Sequence, residues 1–252
     1  MLTLFTRVVD AVGESLLGQL DWGLADGGAH AAQYHHDRTA DAAALRVLFD
    51  AGVGVLSEES GLHSVSGAPV VVVVDPIDGS TNASRRLPWW STALCAVDTS
   101  GPWVAMVHDH ASGARFHAVR GAGAFCARGD GSFARVERPP TPTLAGSVIS
   151  LAGWPPHHFG WAQFRSYGSL ALELCAVADG RLDGHIQFVT DEVAPWDYLA
   201  GALVCAEAGA RVVDAFDRDL VVVDHLVRRT PIAAGSDALL NELVAARRAS
   251  AV

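Results

Sequence analysis

The sequence predicts an α/β protein, α+β in its first half and more regularly alternating in its second. Three observations predict this. A helical period opens the chain, a run of valines followed by short alternating segments marks a sheet, and helices alternate with strands beyond a proline cluster.

Leu4, Val8, Val12, Leu16 and Leu20 fall on one face of a helix expected over residues 3–20. A polar segment with Tyr34, His35, His36 and Asp37 follows. A second helix is expected to start near Asp41, with Thr39 as its N-cap, and to run through Leu48. Two β-rich runs come next, residues 53–56 and 69–74, the first ending on Glu58-Glu59 and the second on Asp75. Residues 92–97, 103–108, 114–119 and 121–125 read as an antiparallel meander with turns at 99–101 and 111–113. Pro139, Pro140 and Pro142 punctuate the chain, so a boundary is expected between an N-terminal unit, 1–138, and a C-terminal unit, 139–252. In the second unit strands at 146–150, 182–188 and 211–213 alternate with helices at 169–178, 196–208 and 236–248.

Composition narrows the function. The 252 residues are half apolar, enough for a sizeable core. The 18 basic residues are all Arg, and 28 acidic residues give a net charge of −10. A chain this acidic, with no Arg-dense stripe, is unsuited to a nucleic-acid backbone. Cys95, Cys126, Cys175 and Cys205 are widely spaced among apolar neighbours and read as reduced core residues. No signal peptide or membrane span fits, so a cytoplasmic protein is expected.

The strongest local signal is Asp75-Pro76-Ile77-Asp78-Gly79-Ser80-Thr81-Asn82. Valines 70–74 make a fully buried strand, and Asp75 is expected where it emerges. Pro76 cannot donate to a ladder and is expected to end it. Gly79 permits a tight turn, and Ser80-Thr81-Asn82 suit the opening of a helix, where free amides can hold a phosphate. Asp75 and Asp78 straddle the turn. Two carboxylates crowded in a cleft repel one another, and a hard divalent cation relieves this; all-oxygen ligation points to Mg²⁺.

This string resembles the signature of the inositol monophosphatase-like family of metal-dependent, lithium-sensitive phosphatases. Leu56-Ser57-Glu58-Glu59-Ser60 is similar to that family's Gly-Glu-Glu-Ser segment, and Pro195-Trp196-Asp197-Tyr198-Leu199-Ala200-Gly201 to its Trp-Asp-x-Ala-Gly motif. Glu207-Ala208-Gly209-Ala210, Arg120-Gly121-Ala122-Gly123-Ala124-Phe125 and Gly180-Arg181-Leu182-Asp183-Gly184 follow the same pattern, so the likeness runs from about residue 39 onward.

The resemblance implies a layered αβαβα sandwich, a homodimer, and hydrolysis of a small phosphate ester with two or three Mg²⁺ ions. It implies that Glu58, Asp75 and the Ile77 carbonyl hold one ion and that Asp75, Asp78 and Asp197 hold another. Glu58 also counts among the catalytic residues. Ser80, where the family usually has Thr, would orient the attacking water with Asp41 as its partner. The Thr39-Ala40-Asp41 spacing departs from the family's Thr-x-Ala-Asp, Asp37 lies nearby, and Asp41 also reads as a first-turn helix acid. The amides of Gly79, Ser80 and Thr81 would grip phosphate, and Gly168, Ser169, Gln187 and Asp197 would meet substrate.

Gln187 stands where inositol-type members place a Glu, and Asp191 or Glu192 could restore a carboxylate from a longer following stretch. Equally, Gln187 could merely cap a strand end at the surface. Relatives act on inositol monophosphate, histidinol phosphate, 3′-phosphoadenosine 5′-phosphate or fructose 1,6-bisphosphate. With no obvious extra cations for a second phosphate, a monophosphate is favoured. A phosphate-binding regulatory module without catalysis is the alternative from another class. His108-Asp109-His110 reads as a solvated hairpin end.

Overall fold

Helix α1 (Leu2–Leu16) buries Phe5, Val8, Val9, Val12 and Leu16 along one stripe. It stops short of the expected end at residue 20, because Leu17 and Leu20 find no surface to pack on and are exposed. A computed structural model describes residues 1–25, 33–64 and 68–250. Helix α2 (His35–Asp50) begins six residues before Asp41, at the N-cap Tyr34. The Tyr34 amide donates to Asp37 Oδ2 at 2.8 Å, and Thr39 sits inside the helix with its hydroxyl on His35 O. The acid that starts the helix is therefore Asp37, not Asp41.

Strands β1 (Gly54–Ser57) and β2 (Gly61–His63) form a hairpin, and β3 (Val71–Asp78) lies parallel to β1. Pro76 does not end β3. The strand continues to Asp78 through a register shift between Asp75 and Asp78, and the Thr92 hydroxyl donates to Pro76 O at 2.8 Å. A short α3 (Ser80–Arg85) follows, then the expected meander of β4 (Ser91–Asp98), β5 (Gly101–Asp109), β6 (Arg115–Val119) and β7 (Gly123–Ala127), with a short β8 (Phe133–Arg135) at the edge. The sheet order is β2-β1-β3-β4-β5-β6-β7-β8.

The second sheet contains β9 (Val148–Ala152), β10 (Gln163–Arg165), β11 (Gly184–Gln187), β12 (Arg211–Asp214) and β13 (Pro231–Ala234), in the order β10-β9-β11-β13-β12. Helices α4 (Leu170–Ala178), α5 (Pro195–Glu207) and α6 (Asp237–Ala249) complete the chain.

Three cores divide the molecule into five layers. Helices α1 and α2 cover one face of the first sheet through Phe5, Val12, Leu48, Val72, Val74 and Leu94. The other face, with Val73, Cys95 and Val107, packs on α4 and α5. Helix α6 closes the far side of the second sheet with Leu239, Leu240 and Leu243 against Ile149, Ile186 and Ile232. This is the αβαβα sandwich. Helix α4 lies between two sheets and is buried along its whole length, which explains its apolar sequence on every face. The four cysteines are free and buried. Among the described residues no helix is long and apolar enough to cross a membrane.

Candidate active site

The chain concentrates its carboxylates where the first sheet meets the central helices. Asp75 and Asp78 come from the irregular end of β3 and Asp197 from the first turn of α5. Their carboxylate oxygens lie within 4.8 Å of one another. Each acid is held by its own element. Asp78 Oδ2 accepts from Ser169 Oγ and the Ala171 amide, both at 2.7 Å, at the opening of α4. Asp197 Oδ2 caps α5 by accepting from the Ala194 amide at 2.6 Å. Glu58 follows β1, lines the same cavity of about 280 Å³, and hydrogen-bonds Asp75.

Burial raises all four acids, and repulsion from neighbouring carboxylates adds to it. Burial dominates for Asp78, with Asp197 adding repulsion, and lifts it to about 8 despite its two hydrogen bonds. Asp197 rises to about 6, again through burial, with the Ala194 amide and Arg228 opposing. Glu58 and Asp75 are pushed well above the carboxylate range by burial and then by their neighbours. Asp75 Oδ1 is buried with no hydrogen-bond partner. An orphaned carboxylate oxygen, in a group of oxygens free of His and Cys, fits a hard divalent cation such as Mg²⁺. Ile77 lines the same cavity; its carbonyl accepts from Ser80 Oγ at 2.8 Å, which uses one of its two lone pairs.

Gly79 links this centre to the substrate-side loop. It adopts φ +93°, and a Cβ there would lie 3.1 Å from the Gly168 and Trp89 carbonyls. Only glycine allows both the turn and the approach. Gly79, Ser80, Thr81 and Gly168 accordingly share the metal-side cavity, and Ser169 caps α4 beside it.

The expected Ser80–Asp41 pair does not form. Asp41 Oδ1 accepts from Ser57 Oγ at 2.6 Å, one helical turn away from the cavity. Asp37, not Asp41, lines the cavity with Ser80. The Ser80 hydroxyl is among the groups that favour the Asp37 carboxylate, although burial leaves that acid raised overall. Helix α2 starts earlier than expected, which places Asp37 and not Asp41 in its first turn.

A second cavity of about 290 Å³ shares Asp78, Gly168 and Asp197 with the first and runs on toward β11. Gln187 lines it and is buried, so it does not cap a surface strand end. Its Nε2 donates to Glu192 Oε2 at 2.5 Å. Asp191 points away, paired with Arg218 at 2.6 Å. Between the two acids, Glu192 is the one that returns a carboxylate to this wall. Glu173 and His185 also line the cavity, and sequence reading missed both. Glu173 looked like one polar residue in an apolar helix, and only its burial gives it away. His108 and Asp109 are not solvated either: both are buried, and His110 stacks on Trp90 at 4.5 Å and is lowered to about 3 by burial.

Comparisons with known proteins agree with this geometry. The model of the inositol monophosphatase family matches residues 36–251. A Nus factor SuhB from Pasteurella multocida is 35% identical over 193 residues, covering 70% of this chain and 69% of its own. A fructose-1,6-bisphosphatase from Pyrococcus furiosus is 29% identical, covering 82% of this chain and 80% of its own. Among solved structures, the extragenic suppressor protein SuhB from Bartonella henselae superposes with a TM-score of 0.81 at 25% identity, over 98% of both chains. The MJ0109 gene product, described as an inositol monophosphatase–fructose 1,6-bisphosphatase, shares the fold with a TM-score of 0.84 at 21% identity, over 97% of this chain and 98% of its own. On the strength of the family match, with its motifs folded into one carboxylate centre, the chain belongs to the inositol monophosphatase family.

Proposed function

We propose that the protein hydrolyses a small phosphate monoester with Mg²⁺ held by Glu58, Asp75, the Ile77 carbonyl, Asp78 and Asp197. The observation that carries this is the convergence of Asp75, Asp78 and Asp197 from two distant elements, with an orphaned oxygen among them. Bound Mg²⁺ supplies Lewis acidity toward the phosphoryl group and toward water. The protein's own groups do the positioning. The amides opening α3, at Gly79, Ser80 and Thr81, have no partners within the helix, and these residues line the metal-side cavity, where they would hold a phosphate. Ser80 orients water through its hydroxyl. Asp37 stands beside Ser80 as the proton acceptor, in place of Asp41. The cavity toward β11 takes the alcohol part of the ester.

A relative bears the name of a Nus factor, and a phosphate-binding regulatory role is the second reading. Retention of the whole carboxylate set supports catalysis over it. Phosphate release from a generic phosphomonoester in Mg²⁺, lost on chelation, tests the proposal. A folded protein with no Mg²⁺-dependent release from a broad ester panel would leave the regulatory reading.

A further inference from the structure

Another cavity, of about 500 Å³, lies between the second half of α1 and the β5–β6 hairpin, and it shares no lining residue with the two at the carboxylate centre. Its wall includes His108 and His110, the two histidines expected at a solvated hairpin end. Hydrogen bonds fix the hydrogen on each ring. The Thr92 hydroxyl donates its single hydrogen to Pro76 O, so toward His110 Nε2, 2.8 Å away, it can only accept, and Nε2 carries the hydrogen. His108 Nδ1 lies 3.2 Å from Ala114 O, a carbonyl that only accepts, so in this ring the hydrogen is on Nδ1. Burial holds both imidazoles below their usual range, His110 at about 3, and Arg115 pushes His108 the same way. Both rings are therefore neutral at neutral pH, and His108 Nε2 and His110 Nδ1 are left as acceptors. Neither nitrogen has a hydrogen-bond partner among the described residues. The Nδ1 edge of His110 faces Gly13 of α1, where a Cβ would stand 4.0 Å from it.

The remaining wall selects for positive charge. Arg115, the only basic side chain lining the cavity among the described residues, is paired with Asp10, whereas the Glu14 carboxylate has no ion pair among them. Trp22 and Trp90 add indole rings set edge to face, centroids 6.5 Å apart, and the Trp22 N–H is already spent on Gln19 O. Aromatic faces attract a cation, and a carboxylate with two acceptor nitrogens calls for N–H donors. A metal ion does not suit: among the described residues only Asp75, Asp78 and Asp197 gather closely enough to hold one. The volume is that of a site for a small organic molecule.

We propose that this cavity is a second ligand site, one that takes an aromatic amine in its protonated form, with the ring against Trp22 and Trp90 and the ammonium toward Glu14, His108 Nε2 and His110 Nδ1. The proposal is independent of the phosphatase reading, since the cavity shares no residue with the carboxylate centre.

Titration calorimetry on the full chain tests it, at about pH 7.5, where the amine is charged and the imidazoles are not. Saturating Mg²⁺ is present to occupy the carboxylate centre. Tryptamine is compared with a neutral and an anionic counterpart, tryptophol and indole-3-acetate. Tryptamine should bind roughly 10- to 100-fold more tightly than tryptophol, the range of one charge-assisted hydrogen bond, and indole-3-acetate should bind most weakly. Glu14→Gln, at an exposed helix position, should shrink that ratio. Gly13→Leu puts a side chain beside His110 and should abolish tryptamine binding, while its higher helix propensity favours α1. Both variants are checked by circular dichroism, and Glu14→Gln keeps the test alive if Gly13→Leu distorts the helix. Asp78→Asn should leave the tryptamine affinity unchanged; its loss there would put the amine at the carboxylate centre and overturn the proposal. No measurable tryptamine binding, equal or tighter binding of either counterpart, or a tryptamine preference that survives both α1 substitutions overturns it as well.

Discussion

Chelating the metal should make this protein less stable as pH rises, and Mg²⁺ should remove that dependence. Asp78 and Asp197 are raised by burial to about 8 and about 6 from the usual 3.8. In the metal-free fold they hold protons that the unfolded chain has already lost. Stability from these protons is complete below about pH 4 and drains away as pH climbs through 6 and toward 8. Each proton held only by the folded state costs about 1.4 kcal/mol per pH unit. One such proton on Asp78 between about pH 6 and 7.5 amounts to about 2 kcal/mol. For a chain of this size that lowers Tm by about 4–8 °C. Glu58 and Asp75 belong to the same mutually repelling group, so their effects do not simply add. Thermal melts over this pH range, in EDTA and in saturating Mg²⁺, measure the difference. The EDTA series should fall and the Mg²⁺ series should stay flat, since the cation does the neutralising. Asp78→Asn removes one titrating group and should make the EDTA series shallower. An EDTA profile as flat as the Mg²⁺ profile would refute the buried, cation-seeking centre.

Asp75→Asn should abolish Mg²⁺-dependent phosphate release while leaving the circular dichroism spectrum unchanged; near-normal turnover would mean the centre is misassigned. Ser80→Ala and Asp37→Asn should each lower kcat by about 10²–10³-fold at saturating Mg²⁺, whereas Asp41→Ala should act on stability, through the lost bond from Ser57, and spare kcat. The reverse pattern, with Asp41→Ala the more damaging to kcat, would restore Asp41 as the partner of Ser80. Arg218 holds Asp191 and Asp214 and so steadies the loop that carries Glu192. Arg218→Ala should therefore raise KM more than it lowers kcat, and a pure kcat effect would contradict that role. Phe5→Ala, in the core between α1 and the first sheet, should cost about 3–5 kcal/mol in urea unfolding.

Much of the fold was legible because its signals are local. The valine run could only be a strand, which begins at Val71 and is buried from Val72, and the paired turns at 99–101 and 111–113 announced the meander. Helix α5 was legible from Pro195 at its first turn. What escaped was short or edge structure. Strands β2, β8 and β10 have three residues each, too few for a period to show, and β13 hides in a run of small residues at 231–234. The run at Leu17 and Leu20 had the right period and the wrong place. Periodicity reports a face that could be buried, not a partner that buries it.

The site divides along the same line. Asp75 and Asp78 announce themselves because three residues of sequence place both, and Asp197 because its motif is compact. Asp37 could not be chosen over Asp41 from spacing alone. Both are acids near the start of one helix, four residues apart, and the choice turns on a hydrogen bond from the Tyr34 amide that sets where the helix begins. The cavity wall toward β11 is harder still. His185, Gln187 and Glu192 are close in sequence, but their meaning depends on Glu173, a helix residue more distant in the chain that locks the imidazole and leaves one nitrogen over. A residue's role in catalysis can be written in a motif. Its remaining hydrogen-bonding capacity cannot, because that is what is left after every neighbour has taken its share, and the neighbours are supplied by the fold. Substrate preference in this protein is therefore to be sought in unsatisfied atoms, where the fold leaves a demand that a ligand can meet.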